Sequence, residues 1–256
     1  MLFVIDAGNT HITMGAYRDD DLLFTSRVAT DTTLTEDQIA VFISNLFALN
    51  KVDAAQIDGA IISSVVPELT LALKKGIEKI IGVTPYLVGP GVKTGLNIKI
   101  DDPGCLGADM VTTAVAAKAK YPLPALVIDL GTATKISALD ESGAFLGCSI
   151  SPGVRISLNA LASGASQLSQ ISLVEPSHAI GTNTPDSMRS GIVYGTADML
   201  DGLVDRMNAE MATPVKTIIA TGGLSDICQY CRHQIIMEPD LILEGLKLIY
   251  QLNQKK

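Results

Sequence analysis

The sequence predicts an α/β fold made of two copies of one supersecondary unit, and three observations lead to it. In residues 2–24 and again in 125–147, an apolar strand ends in Asp, Gly follows two residues later, and small hydroxyl or amide residues come next. A second apolar stretch and an acidic turn then follow in both copies. A spacing of about half the chain indicates duplication rather than a solenoid array. Later in each half, strands alternate with helices, which is the pattern of α/β folds.

The elements of the first half follow from hydrophobic periodicity. Strands are predicted over 2–7, 11–17 and 22–29, around an Asp-rich turn. Thr35 can cap a helix, and the apolar residues after it repeat with helical spacing. The remaining predicted elements are a buried strand over 59–66, a helix from Pro67 to about Ile81, a strand over 86–88, a Gly/Pro-rich loop over 89–95 and a helix over 107–120.

The second half repeats the strand–turn–strand unit before its helices begin. A helix over about 154–162, a loop-like stretch over 164–186 and a long helix over about 187–211 are predicted. The last elements are a strand over 215–220, a tight turn at 221–223, a short strand over 235–237 and a helix over 240–251. The domain boundary is placed in the Pro-containing region near 115–124, which predicts domains of residues 1–115 and 116–256.

Composition narrows the classes of function. The net charge of −8 argues against nonspecific nucleic-acid binding. No apolar run is long enough to span a bilayer and the first residues lack a basic region, so we expect a soluble cytoplasmic protein that does not bind membranes. The four scattered cysteines include one CxxC pair, Cys228 and Cys231, which we expect to be reduced structural thiols rather than a zinc site.

The turn at residues 6–10, Asp-Ala-Gly-Asn-Thr, is typical of a phosphate site. Gly8 lets the backbone approach a ligand closely, and successive N–H groups in a turn make an anion-binding concavity. Asp6 can hold Mg²⁺ directly or through water. An ordinary hairpin turn would explain this segment alone. The second copy, which begins at Asp129, favours a pair of turns that bind a metal–triphosphate group.

Two further motifs are weaker in isolation. Thr221-Gly222-Gly223 follows a buried strand, where a nucleotide could approach bare backbone, but a plain helix-starting turn has the same composition. Asp109 follows Gly107 at a helix start, where an acidic residue most often stabilises the helix dipole. Its functional interpretation is a general base. Phosphoryl transfer depends mainly on positioning and charge stabilisation, so one carboxylate near the acceptor hydroxyl is sufficient.

Taken together, the motifs resemble those of type III pantothenate kinase, a member of the acetate kinase, sugar kinase, Hsp70 and actin superfamily. The resemblance covers nearly the whole chain. It implies two ribonuclease-H-like domains, as in actin-like ATPases, with an inter-domain cleft. It rests on an ordered set of motifs: Asp6-x-Gly8-Asn9-Thr10, Ser63-Ser64-Val65-Val66-Pro67, Gly89-Pro90-Gly91-x-Lys93-Thr94-Gly95, Gly107-x-Asp109, Asp129-x-Gly131-Thr132-x-Thr134, Ser151-Pro152-Gly153, Gly181-x-Asn183-Thr184, Ser187-Met188-x-Ser190-Gly191 and Thr221-Gly222-Gly223.

The resemblance also implies an activity and a set of site residues. The activity is ATP-dependent phosphorylation of pantothenate to 4′-phosphopantothenate, the first step of coenzyme A biosynthesis. Asp109 would be the catalytic base, Asp129 would help bind a monovalent cation (K⁺ or NH₄⁺), and Asp6 is the candidate for the Mg²⁺ that accompanies ATP. The residues expected to contact ATP are Asp6, Ala7, Gly8, Asn9, Thr10, His11, Ile12, Thr13, Thr132, Gly222 and Gly223. Those expected to contact pantothenate are Gly107, Ala108, Asp109, Met110 and Thr184.

A homodimer is a further implication, because Thr184 would reach pantothenate from across the dimer interface. The long helix that begins near Ser187 is the predicted interface element. Its apolar residues could equally belong to the core of one subunit. They are Ile192, Val193, Leu200, Leu203 and Val204.

Three positions depart from the family pattern. Met110 stands where the family has an Arg that would pair with the pantothenate carboxylate, Ile100 replaces a Tyr, and Lys135 replaces a Thr. Lost charged hydrogen bonds are worth roughly 1.5–3 kcal/mol each, so we expect a weaker acceptor site unless Lys135 supplies the missing charge. Two alternatives stay open: a nucleotide-binding homologue with impaired kinase activity, and a kinase for another small hydroxyl compound.

Overall fold

Two five-stranded sheets form the framework of the chain in a computed structural model, which describes residues 1–254. The strands are β1 (Leu2–Ala7), β2 (His11–Arg18), β3 (Asp21–Ala29), β4 (Gly59–Ser64), β5 (Tyr86–Leu87), β6 (Ala125–Leu130), β7 (Ala133–Leu139), β8 (Phe145–Pro152), β9 (Thr217–Thr221) and β10 (Ile236–Met237). The α-helices are α1 (Glu36–Leu49), α2 (Pro67–Ile81), α3 (Ala108–Lys120), α4 (Val154–Gly164), α5 (Thr184–Glu210) and α6 (Leu241–Gln254). None of these helices is both long and apolar enough to cross a bilayer.

The two sheets repeat one topology, which confirms the predicted duplication. The first has the strand order β3-β2-β1-β4-β5, and the second has β8-β7-β6-β9-β10. In the first, β1 pairs antiparallel with β2 and parallel with β4. In the second, β6 pairs antiparallel with β7 and parallel with β9. In both central strands the residues before the Asp are buried and the Asp itself is partly exposed.

One face of the first sheet packs against α1 and α2. Alternate residues of its strands, among them Phe3, Ile5 and Ile62, form a core cluster with apolar residues of these helices. Helix α1 starts where the sequence predicts, since the Thr35 hydroxyl accepts a hydrogen bond from the Gln38 N–H and the Gln38 side chain accepts one from the Thr35 N–H. This core fixes β1, and therefore the turn that follows it.

The second sheet packs one face against α4 and α5. Val193, Leu200 and Val204 of α5 belong to the buried core cluster of this unit, and Ile192 and Leu203 pack against it. Of the apolar residues that suggested a dimer interface, three are therefore buried in the core of this unit, while Ile192 and Leu203 are only partly buried. The helix begins at Thr184 rather than near Ser187, because the Asn183 side chain accepts a hydrogen bond from the Asp186 N–H at 3.0 Å and so caps it.

The last helix packs with the first unit, although it follows the second in sequence. The first compact unit comprises Met1–Leu96, Asp102–Ala116 and the chain from Asp240 onward, and the second comprises Asn97–Asp101 and Ala117–Pro239. In the first unit, Leu243 of α6 lies close to Gly15 of β2, and Gly245 lies against the backbone of Thr112. Glycine is needed at these points because a larger side chain would collide with the neighbouring element. The predicted domains, residues 1–115 and 116–256, place the C-terminal helix in the second domain, whereas in the structure it packs with the first unit.

Candidate active site

Asp6 occupies the end of β1 at the edge of the first turn. It lies opposite Thr13 in β2 and beside Ser63 in β4. The Ser63 hydroxyl donates a 2.8 Å hydrogen bond to Asp6 Oδ1. A hydrogen bond from a fully buried hydroxyl restricts the orientation of the carboxylate. Ser63 was part of a motif in the sequence, but its role as a partner of Asp6 depends on strand pairing that the sequence does not show directly.

The turn after Asp6 is braced by its own backbone. The Gly8 N–H donates to the His11 carbonyl at 3.0 Å, and the Thr30 hydroxyl donates to the Gly8 carbonyl at 2.6 Å. The Gly8 N–H is therefore hydrogen-bonded inside the turn, so the predicted anion-binding concavity would rely on the other N–H groups of this segment. Asn9 and Thr10 are exposed at the tip of the turn. They are the residues of this turn best exposed to a ligand.

Asp129 holds the equivalent position at the end of β6, but its cross-strand neighbour is charged. It pairs directly with Lys135 in β7, and the Lys135 Nζ lies 2.8 Å from Asp129 Oδ2. The Asp129 side chain is 21% exposed and that of Lys135 is 14% exposed. Thr132, at the tip of this turn, is exposed. The second turn therefore carries an ion pair at the position where the first has Asp6 opposite Thr13.

Gly222 and Gly153 allow other segments to approach the second turn closely. Gly222 has a φ of +94°, and a Cβ atom there would lie 2.7 Å from Asp129 Oδ1. A Cβ atom at Gly153 would lie 2.8 Å from the Gly131 carbonyl oxygen. Both positions therefore require glycine. The contact between Gly222 and Asp129 gives a structural reason why the Thr-Gly-Gly motif accompanies the second Asp motif.

Asp109 lies in the first turn of α3, where its side chain is held by the local backbone. Its Oδ1 accepts a 2.8 Å hydrogen bond from the Met110 N–H. A Cβ atom at position 107 would lie 2.6 Å from the same oxygen, so the carboxylate can take this orientation only because residue 107 is glycine. The Gly-x-Asp spacing noted in the sequence thus has a steric basis. The Asp109 residue is partly exposed.

Met110 is much less accessible than the prediction of a pantothenate contact requires. It is only 7% exposed, and the residues after it through Ala117 are also buried. A helix that is buried on all sides presents no polar face to solvent. A guanidinium at position 110 would have to be buried in this structure. Met110 is therefore buried, whereas its neighbours Ala108 and Asp109 are partly exposed and can be reached by a ligand.

Thr184 lies in the second unit, exposed at the first residue of α5. It helps to line an open groove of about 710 Å³ in that unit. The groove has apolar walls from Leu161 and Ile192 and polar groups from Asn183 and Ser187. A ligand with both an apolar body and a polar end matches this lining.

Metal-binding groups are sparse in the described chain. Residues 1–254 contain no cluster of three or more His, Cys, Asp or Glu side chains that could hold a metal ion. This fits Mg²⁺, which keeps several water ligands and binds through one or two carboxylates together with substrate phosphates. The four cysteines are free thiols. A hydrogen bond with Cys228, together with burial, raises the pKa of Cys231, which keeps this thiol protonated at neutral pH.

Comparison with known proteins identifies close relatives over the full length. Residues 2–206 match the family model of type III pantothenate kinase. The type III pantothenate kinase of Halalkalibacterium halodurans is 43% identical over 254 residues, covering 99% of this chain and 100% of that protein. The enzyme of the same name from an Exiguobacterium species is 42% identical and is covered completely, as is this chain.

A solved structure with low sequence identity supports the fold. The activator of 2-hydroxyisocaproyl-CoA dehydratase from Clostridium difficile, determined with bound ADPNP, aligns with a TM-score of 0.58 at 12% identity. The alignment covers 100% of this chain and 97% of the activator. Other solved structures similar to this chain have actin-like ATPase and sugar kinase folds, in agreement with the predicted fold class.

Proposed function

The chain belongs to the type III pantothenate kinase family, and on that premise we propose which of its residues carry out the reaction. The protein is an ATP-dependent kinase that phosphorylates pantothenate in coenzyme A biosynthesis, and its nucleotide acts with a divalent metal ion.

Asp109 is the proposed catalytic base. The observation that carries this proposal is the 2.8 Å hydrogen bond from the Met110 N–H to Asp109 Oδ1, which holds the carboxylate in an orientation that only a glycine at position 107 permits. A carboxylate held in one orientation can accept the proton of the pantothenate hydroxyl without first reorganising. The proton passes from the hydroxyl oxygen to the carboxylate as that oxygen attacks the γ-phosphorus and the bond to the ADP leaving group breaks.

Asp6 is the proposed carboxylate for Mg²⁺. The Ser63 hydroxyl orients it, and its partial exposure at the end of β1 leaves it accessible to a ligand. When bound, Mg²⁺ supplies positive charge against the phosphate oxygens of ATP. The side chains of Asn9 and Thr10, exposed in the same turn, are proposed to donate hydrogen bonds to those oxygens.

The second turn is proposed to contribute nucleotide contacts of its own. Thr132 is exposed at its tip, and Gly222 and Gly223 bring bare backbone beside Asp129. Backbone N–H groups and a hydroxyl can bind phosphate or ribose oxygens without adding net positive charge. This agrees with a chain whose net charge is −8.

The acceptor site is proposed to use Gly107, Ala108 and Asp109, with Thr184 contributed by a second subunit. Met110 is a weaker candidate than the sequence suggested, because its side chain is 7% exposed. A group other than residue 110 must therefore pair with the pantothenate carboxylate. An arginine introduced at position 110 would therefore not improve pantothenate binding, since its guanidinium would first have to be desolvated.

A cytoplasmic homodimer is the proposed state of the enzyme. Because most of the apolar α5 residues are buried in the core, further support for a dimer comes from apolar side chains exposed on α4, namely Ile156 at 45% and Leu161 at 39%. Leu161 also lines the groove that contains Thr184. Light scattering at micromolar concentration should give twice the subunit mass of 26.9 kDa, and a monomer mass would exclude this assembly.

The test of the base is an ADP-release assay with pantothenate and Mg-ATP, with a no-acceptor control and identification of the phosphorylated product by mass. General-base catalysis contributes roughly 10²–10⁴-fold, so Asp109→Asn should lower kcat by about that factor while ATP binding is unchanged. Gly107→Ala should also lower kcat, because the added methyl group displaces the carboxylate.

Glu68→Gln is the matched control, since Glu68 is another acidic residue in the first turn of a helix, α2, and is exposed. Its turnover should equal that of the wild type. If Asp109→Asn also keeps wild-type turnover, Asp109 is not the base. If the wild type produces no ADP in response to pantothenate, this chain has lost the activity of its family.

A further inference from the structure

The Lys135–Asp129 ion pair is short and partly withdrawn from solvent. Its Nζ–Oδ2 distance is 2.8 Å, and neither side chain is more than about one-fifth exposed, at 14% and 21%. Hydrogen bonds between two charged groups are about twice as strong as neutral ones, and partial burial strengthens the attraction further. The pair is therefore part of the structure of the second turn and not a solvent-exposed surface ion pair.

The sheet itself holds Lys135 at this place. Lys135 and Asp129 are directly opposite in the antiparallel pairing of β6 and β7, which brings their Cβ atoms to about 4.5–5.5 Å. The residues on either side of Lys135, Thr134 and Ile136, are buried at 1% exposure. Because side chains alternate along a strand, Lys135 and Asp129 project together from the opposite face.

The surroundings of Asp129 leave little room for a second cation. On the Oδ1 side, Cβ atoms at Gly131 and Gly222 would come within 3.2 Å and 2.7 Å of the oxygen, so backbone lies close there. On the Oδ2 side stands the Lys135 ammonium. A monovalent cation bound to Asp129 would have to displace that ammonium or lie beside a like charge. The residues present therefore do not fit the K⁺ or NH₄⁺ ion that the family resemblance implies.

We propose that the Lys135 ammonium serves as a tethered replacement for the monovalent cation at Asp129, so that this kinase needs neither K⁺ nor NH₄⁺. The lysine side chain ends in a compact, strongly hydrated ammonium, which is chemically an alkyl form of the activating ion NH₄⁺. The first unit has Thr13 at the equivalent position opposite Asp6, so the fold does not require a lysine there. The inference rests on the proposed function, because it concerns the same nucleotide site.

The experiment compares turnover in KCl, NH₄Cl and NaCl at one ionic strength. Wild-type kcat should differ by less than about twofold among the three salts. Lys135→Thr should lose about tenfold or more in NaCl, the size expected for a lost charged hydrogen bond, and should recover in KCl or NH₄Cl. Lys135→Arg, which keeps the positive charge, is the matched control and should remain insensitive to the choice of salt.

A melting experiment gives a second measurement that does not depend on catalysis. Lys135→Thr should melt at a higher temperature in KCl than in NaCl, and the wild type should melt equally in both. Stimulation of the wild type severalfold by K⁺, or a K⁺-dependent rise in its melting temperature, would overturn the proposal without any variant. Equal salt responses of Lys135→Thr and wild type would overturn it as well. If the wild type shows no pantothenate-dependent activity in any salt, the proposed function fails, and the melting comparison still decides the role of Lys135.

Discussion

Asp6 and Asp129 hold the same position in their units, at the end of a buried strand that has an antiparallel neighbour on one side and a parallel neighbour on the other. Their immediate surroundings differ. Asp6 lies opposite Thr13 and accepts a hydrogen bond from the neutral hydroxyl of Ser63. Asp129 lies opposite Lys135 and forms an ion pair with it. The Lys135 ammonium offsets part of the charge of Asp129.

The two copies of the unit therefore differ in the residue that faces the Asp from the neighbouring strand. The strand order is repeated, and the second turn is one residue shorter than the first, with Thr13 opposite Asp6 and Lys135 opposite Asp129. The first turn is proposed to serve the divalent metal of ATP. The second carries its own cation in the form of Lys135.

The largest effect should come from removing the two carboxylates separately. Asp6→Asn should lower kcat by about 10²–10³, the range for loss of one preorganised electrostatic group, and the loss should not be restored by excess Mg²⁺. Asp129→Asn should lower kcat by only about tenfold, because Lys135 keeps a positive charge at that turn. The measurement is ADP release against Mg²⁺ concentration. Equal losses in the two variants would mean that the turns do not differ in role.

Substitution of the glycines beside the two turns is expected to lower the stability of the fold to different extents. Gly222→Ala should lower the free energy of unfolding by about 1–3 kcal/mol, because residue 222 has a positive φ of 94° and its methyl group would collide with Asp129. Gly8→Ala should cost less than about 1 kcal/mol, since its Cβ would lie 3.2 Å from the His11 carbonyl oxygen and its φ is not in the left-handed region. Urea unfolding of both variants provides the comparison. A larger loss at Gly8 would contradict it.

A small change in the free energy of unfolding is expected from the buried residue near the start of the second strand of each hairpin. Thr134 of β7 corresponds in register to Ile12 of β2, and both are buried. The Thr134 hydroxyl has no hydrogen-bond partner within the described residues 1–254. Thr134→Val should therefore raise the free energy of unfolding by about 1 kcal/mol, because an unsatisfied buried hydroxyl is removed at nearly constant volume.

Thr112→Val is the matched control for this substitution. Thr112 is also buried, but its hydroxyl donates a 2.7 Å hydrogen bond to the Ala108 carbonyl. Its replacement should lower the unfolding midpoint in urea, in the opposite direction to Thr134→Val. A destabilised Thr134→Val variant would show that this hydroxyl has a partner in solution.

Much of the framework could be predicted from the sequence because its signals are local. The apolar runs that end in Asp6 and Asp129 predict the two central strands, and the structure has them at Leu2–Ala7 and Ala125–Leu130. Thr35 marks the start of α1, and Pro67 marks the start of α2. Hydrophobic periodicity and capping residues act over a few positions, so they can be interpreted without knowledge of the fold.

Features that depend on distant contacts could not be predicted in this way. Lys135 was noted as an extra charge, but its contact with Asp129 follows from the register of β6 and β7. The burial of Met110 depends on what surrounds α3, and the periodicity of that Ala-rich helix does not reveal it. The apolar residues of α5 fitted an interface and a core equally well until their packing partners were known.

The position of α6 has a consequence for how the protein is made. The first unit contains residues from both ends of the chain, and its strand β4 packs Gly59 against Tyr250 of α6. Strands β1 to β5 precede the second unit in the chain, yet α6, which completes their unit, follows it. During synthesis the first sheet therefore lacks the cover of α6 until the residues of the second unit, which ends at Pro239, have been made.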